Sequence, residues 1–187
     1  MKTAIIIHGT GGSPEENWFP WMKAQLEEQG YRVFVPWFPT PHHQSLENWM
    51  QTFEEYRKYI DEDTIFIGHS VGPAFVLSIL ETLDAPVKSC YFAAGFLELL
   101  QLPEFDPLNE TITAKQFNWE EIHQNCKHFY MCHGNDDPYV PLYNAEIMAD
   151  NLWVEIDVID AGWHLNEETG YTSFTYLRDK ILWGDLK

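Results

Sequence analysis

The chain has 187 residues, 45% of them hydrophobic, with eight Trp, nine Tyr and twelve Phe. That is enough apolar material to build a core, and it excludes a disordered chain despite a net charge of −18. Twenty-nine acidic against eleven basic residues, with no local Lys/Arg cluster, argue against nucleic acid or an anionic membrane as a partner. No apolar run approaches the roughly 20 residues of a bilayer span, and "MKTAIIIHGTGG" is too short in its apolar part for a signal peptide. The expectation is a soluble single domain over residues 1–187. Cys90, Cys126 and Cys132 form no CxxC and cannot all pair within one chain, which suits a reducing compartment, the cytoplasm.

In chain order, "TAIIIH" at 3–8 reads as a buried strand and runs into the glycine-rich "HGTGG". Trp18, Trp21, Met22 and Leu26 form a helical stripe that stops at Gly30. A second strand, "YRVFVPW" at 31–37, precedes a helix capped by Ser45, with Leu46, Trp49, Met50, Phe53 and Ile60 on one face. Strands follow at 64–69 ("TIFIGH"), 88–94 ("KSCYFAA") and 127–133 ("KHFYMCH"), all without polar alternation, as a parallel sheet covered on both faces requires. A helix is expected from about residue 71, and another from Pro141 to about Asn151. "VEIDVI" at 154–159 alternates and belongs near an edge, and "YTSFTYLRDKILW" forms a last helix at 171–183. The long connection 95–126 is expected as surface loops and a short helix beside a pocket, where selectivity is most easily built. The pattern predicts a doubly wound α/β sheet of about six parallel strands, order 2-1-3-4-5-6, with helices on both faces and no lid domain.

The chemistry concentrates at "GHSVG", Gly68 to Gly72, where G-x-S-x-G joins a strand to a helix. Glycines let strand and helix approach at such a turn, and the turn leaves Ser70 exposed beside the Val71 amide. Pro73 fits, since a first-turn proline gives up only an amide without a helical acceptor. A serine near pH 7 needs a base, and the base needs a group to hold its tautomer. Asp137 in "HGNDDPYVP" and His164 in "DAGWHLNEE" each follow a strand, so both stand at the sheet edge that carries Ser70. The order Ser, Asp, His is that of the α/β-hydrolases. Of the two adjacent acids, Asp136 fits a turn role and Asp137 the acid. His8, His69 and His133 read as satisfied strand-end residues, and their spacing fits no zinc template. "HGTGG" supplies a second oxyanion donor, Thr10 or, as the alternative, Gly11, and matches neither GxGxxG nor a P-loop. Trp18, Trp37, Phe38 and Trp163 stand where they could line an apolar acyl site, with core packing the default for each.

With these motifs in place, the chain resembles the small lidless serine hydrolases related to retinoblastoma-binding protein 9. The likeness runs through "IIIHGTGGSPEENWFPWMKAQLEEQGY" with its N-W-F-P-W box, "GHSVG", "DDPYVP" and "GWHLNEETGYTS". It implies an α/β-hydrolase fold with Ser70 as nucleophile, Asp137 as acid and His164 as base. Two positions depart from the family pattern: Trp163 stands for an expected glycine and Leu165 for an expected Phe. The L-x-C-x-E pattern of retinoblastoma binding is absent, so that partner is not carried over.

The expected activity is hydrolysis of small esters, with amides and thioesters as further candidates, through an acyl-enzyme and without a cofactor or metal. The competing reading is a non-catalytic binding module for a protein or small ligand on the same fold. A third possibility passes the acyl group to an acceptor other than water.

Overall fold

The computed structural model describes residues 2–184. Six strands, β1 (Thr3–Ile7), β2 (Arg32–Phe34), β3 (Ile65–His69), β4 (Ser89–Ala93), β5 (Phe129–Gly134) and β6 (Ile156–Ile159), pair in parallel in the order β2-β1-β3-β4-β5-β6. This is the expected order. The direction of strand addition reverses between β1 and β3, which puts the loops after both strands side by side at one edge.

The apolar runs are buried on both sides because successive side chains point to opposite faces. Ile5 and Ile7 join one core cluster with Phe66, Phe75, Phe92 and Met148, while Ala4 and Ile6 join a second with Trp18, Phe19, Met22 and Leu177. Helices α1 (Phe19–Glu28) and α7 (Thr175–Gly184) cover the second cluster. The first is covered by α2 (Leu46–Phe53), α3 (Gly72–Leu80), α4 (Asp106–Thr113), α5 (Trp119–Gln124) and α6 (Leu142–Leu152). All nine residues of α3 are buried, since the sheet lies on one side of it and α4 and α5 on the other.

Several boundaries differ from the sequence reading. β2 has only three residues, and Pro36, which has no N–H for a ladder, lies just beyond it. The chain then leaves the sheet, burying Phe38 against Trp49 and Phe75 and leaving Trp37 exposed. The helix capped by Ser45, whose hydroxyl accepts from the Asn48 amide, tightens into a 3₁₀ turn at Glu54–Tyr59. The last helix begins at Thr175, after a turn in which Gly170 has φ 89°. Residues 95–126 hold two short helices instead of one, the first with Pro107 in its opening turn and the second capped by the Asn118 side chain. β6 is the edge strand expected, and its Val158 is 52% exposed.

Candidate active site

The turn after β3 brings Ser70 to the sheet edge with φ 61°, the left-handed region, and its amide donates to the Ala93 carbonyl at 3.0 Å. A non-glycine residue there carries strain on the order of 1–3 kcal/mol, which the surrounding packing must hold. Two glycines allow the approach. A Cβ on Gly72 would stand 2.6 Å from the Ile7 carbonyl oxygen, and one on Gly9 would stand 2.7 Å from Ser70 Cβ. The loop after β1 therefore lies directly against the serine.

Asp137 and His164, from the loops after β5 and β6, meet at 2.8 Å between Oδ2 and Nδ1. A carboxylate accepts, so Nδ1 carries a proton, and in the neutral ring Nε2 is the nitrogen with the lone pair. The other carboxylate oxygen, Oδ1, accepts from the Tyr139 and Val140 amides, both at 2.9 Å. Burial pushes the Asp137 carboxyl up, but the His164 hydrogen bond, its charge and those two amides together hold it below its ordinary value. Asp136 instead accepts from the Trp163 amide at 2.8 Å and so fixes the neighbouring loop. Asp137 is thus the acid that meets His164, as expected, but it also makes the local turn bonds expected of Asp136, because its second oxygen faces the amides two and three residues on, while Asp136 reaches across to another loop.

Three buried histidines at strand ends hold the loops that carry these groups. His69 donates from Nε2 to the backbone carbonyl of His164 at 2.8 Å. Burial, followed by the proximity of His164, lowers its pKa to about 3, so it is neutral at ordinary pH. His133 donates in the same way to the Val140 carbonyl, 2.8 Å away, and tethers the loop that carries Asp137. His8 donates from Nδ1 to the Gly9 carbonyl and accepts at Nε2 from the Phe38 amide. Burial lowers the pKa of both. The Asn17–Trp21 box, N-W-F-P-W, has a related task. Trp18 Nε1 donates to the Leu165 carbonyl at 3.0 Å, and Asn17 and Glu167 exchange two hydrogen bonds through their amides and side chains. The loop that carries His164 is thus held from three directions.

At the glycine-rich loop, the Gly11 amide donates to Thr40 Oγ1 at 2.7 Å and the Gly12 amide to the Gly9 carbonyl, so both are engaged. The amides of Thr10 and Val71 donate to no group among the described residues. Of the two alternatives in the sequence, Thr10 is the one with its amide free.

The family model described as serine hydrolase matches residues 4–182. The chain belongs to the serine hydrolase family. It is 29% identical to the hydrolase YdeN of Bacillus subtilis (strain 168) over 182 residues, which cover 96% of this chain and 94% of that one. It is 27% identical to the serine hydrolase RBBP9 of Rattus norvegicus over 152 residues, 80% of this chain and 79% of the relative. The crystal structure of the B. subtilis ydeN gene product superposes with a TM-score of 0.93 at 28% identity, covering 100% of both chains. Est1E from Butyrivibrio proteoclasticus with bound ferulic acid superposes at 0.74 with 18% identity, covering 100% of this chain and 90% of that one, a likeness of fold.

In this serine hydrolase two clefts meet at Ser70 and His164. One, of about 190 Å³, is walled by Phe96, Leu100, Leu102, Phe105, Tyr139 and Val140, with Asn109 and Thr10 among its polar groups. The other, of about 210 Å³, is polar and is lined by residues 9–12 together with Glu16, Asn17, Glu167 and Glu168. None of the four aromatics considered for an acyl site lines the apolar cleft. Trp18 and Phe38 are fully buried, while Trp37 and Trp163 are exposed. The apolar wall comes largely from the connection after β4, whose leucines have no period that would single them out. Asn109 carries only a faint signal in the sequence, its place three residues before Ile112, and its burial, 3% exposed, is set by the fold.

Proposed function

We propose that this serine hydrolase cleaves small carboxylic esters through an acyl-enzyme on Ser70, with amides and thioesters as slower substrates. The observation that carries the reading is the Asp137 to His164 contact at 2.8 Å, which leaves His164 Nε2 as a free base beside the cleft that Ser70 enters. In this reading Ser70 Oγ attacks the ester carbonyl carbon as its proton passes to His164 Nε2. Asp137 holds the imidazolium and does not itself take the proton. The carbonyl oxygen becomes an oxyanion between the amides of Thr10 and Val71, and losing one such donor typically costs about 2.7–4 kcal/mol in the barrier. Collapse of the tetrahedral species breaks the bond to the leaving alcohol, which takes the proton from His164. Water then repeats the sequence in the second half, releasing the acid and freeing Ser70.

The small apolar cleft suits the acyl group and the polar cleft the departing alcohol. Neither a cofactor nor a metal enters this chemistry. Among the described residues no helix is long and apolar enough to cross a membrane, and the free thiols fit the reducing cytoplasm proposed from the sequence.

The test is hydrolysis of p-nitrophenyl acetate and butanoate by wild type and Ser70→Ala. Wild type should turn over both, and the variant should lose activity by at least about 1,000-fold while keeping its circular dichroism spectrum. Equal activity in a folded variant would refute the assignment and leave a binding module as the better reading.

A further inference from the structure

A chain of hydrogen bonds runs from the glycine-rich loop into the apolar cleft, with the Gly11 amide at its head. The Gly11 amide can only donate, and it donates to Thr40 Oγ1. Thr40 in turn donates to Gln44 Oε1 at 2.6 Å. Gln44 presents its Nε2 on the other side and donates to Thr10 Oγ1 at 2.9 Å and to Asn109 Oδ1 at 3.0 Å. Thr10 passes its own hydroxyl proton to the same Asn109 oxygen. Two donors thus converge on Asn109 Oδ1, and turning the Asn109 amide alone would set its N–H against that of Gln44.

This leaves Asn109 Nδ2 with two N–H groups and no partner among the described residues, although the residue is 97% removed from solvent, being 3% exposed. Asn109 lines the apolar cleft, and its nitrogen is not among the unpartnered polar atoms sealed away from solvent. A buried donor without an acceptor costs about 1–3 kcal/mol, so a plain alkyl chain packed over it would leave that cost in place. We infer that Asn109 is a specificity residue whose side-chain amide donates to an acceptor oxygen on the acyl group, so that the enzyme takes ether-, hydroxy- or oxo-substituted acyl chains in preference to plain alkyl chains. The inference rests on the hydrolase reading and on the acyl group lying in the apolar cleft. The same chain of bonds joins Asn109 to Thr10, so the donor is held in register with the residue that offers the oxyanion amide.

The test uses p-nitrophenyl esters paired by heavy-atom count: methoxyacetate with butanoate, 3-methoxypropanoate with pentanoate, and 4-methoxybutanoate with hexanoate. Each kcat/KM is divided by the rate of alkaline hydrolysis of that ester, which removes the inductive effect of the oxygen. Wild type should favour the oxygen-bearing member of at least one pair by about tenfold, the worth of one net hydrogen bond. Asn109→Asp keeps the oxygen that Thr10 and Gln44 address but removes the donor, and Asn109→Leu removes both. The preference should vanish in Asn109→Asp. An alkyl preference in every wild-type pair, or an oxygen preference that survives in Asn109→Asp, would overturn the inference. A binding arm separates it from the hydrolase reading. In Ser70→Ala, 3-methoxypropanamide should bind more tightly than pentanamide and shift the Asn109 side-chain amide resonances. If wild type cleaves no ester, the hydrolase reading fails, and this binding preference still decides the role of Asn109, with equal binding of the two amides overturning it.

Discussion

Gly9 and His69 show how closely single residues control Ser70, the proposed nucleophile, and His164, its proposed base. A side chain at Gly9 would collide with Ser70 itself, its Cβ lying 3.2 Å from Oγ. Gly9→Ala must therefore move either the serine or the oxyanion loop. Its kcat on an activated ester should fall about 100-fold, the usual loss when an oxyanion donor is misplaced, and unchanged kcat would show that the loop does not serve the reaction. His69 touches the base only through the His164 carbonyl, so it acts by positioning. Glutamine can place an amide nitrogen near the site of Nε2, whereas leucine cannot donate. His69→Gln should keep most of the wild-type kcat and His69→Leu should lose about tenfold or more, with KM little changed in both. Equal kcat in the two variants would remove this role.

Among the elements, the segment that leads into α4 owes its shape to one carboxylate. Asp106 accepts from the Leu100 amide at 2.9 Å and from the Leu102 amide at 3.1 Å, bracing the loop whose leucines wall the apolar cleft. Asp106→Ala should raise KM for a butanoate ester several-fold while leaving kcat for acetate within about twofold, because the brace shapes the wall and lies away from the reacting atoms. The same element marks how far the sequence could be read. Five apolar runs and one alternating run sufficed for the sheet and its order, since a covered parallel sheet tolerates few other patterns. Ser70, Asp137 and His164 could be picked out as candidates because each lies in the loop that follows a strand, and the fold brings Asp137 and His164 into contact there. Their supports were not. The pairing of Asn17 with Glu167 spans 150 residues, and that of Thr10 with Asn109 spans 99, so only the folded chain brings them together. The acyl wall was missed for a related reason: its residues are ordinary leucines and phenylalanines in a loop, and neither periodicity nor capping sets them apart.

For the whole molecule, three buried neutral histidines and one buried ionised carboxylate make the fold sensitive to acid in a definite direction. His8, His69 and His133 have folded pKa values below the unfolded value of 6.5, and that of His69 is about 3. Below pH 6.5 the unfolded chain takes up protons that the folded chain refuses, so stability falls as pH is lowered through this range. His69, the most strongly lowered of the three, should contribute most to that loss. Asp137, held below its ordinary value, adds a loss of the same sign once pH drops beneath about 4. Urea unfolding should therefore give a lower midpoint at pH 5 than at pH 7.5, with a smaller difference in His69→Gln, and a pH-independent midpoint would contradict this account of the buried histidines. The central claim is that this frame holds Ser70 as a working nucleophile activated by His164. Its most direct test is labelling with a fluorophosphonate, read by intact mass and peptide mapping, on wild type, Ser70→Ala and His164→Ala. A single adduct on Ser70 of the wild type, absent from both variants, is the predicted result, and a folded wild type that takes no label, or takes it elsewhere, would contradict the account.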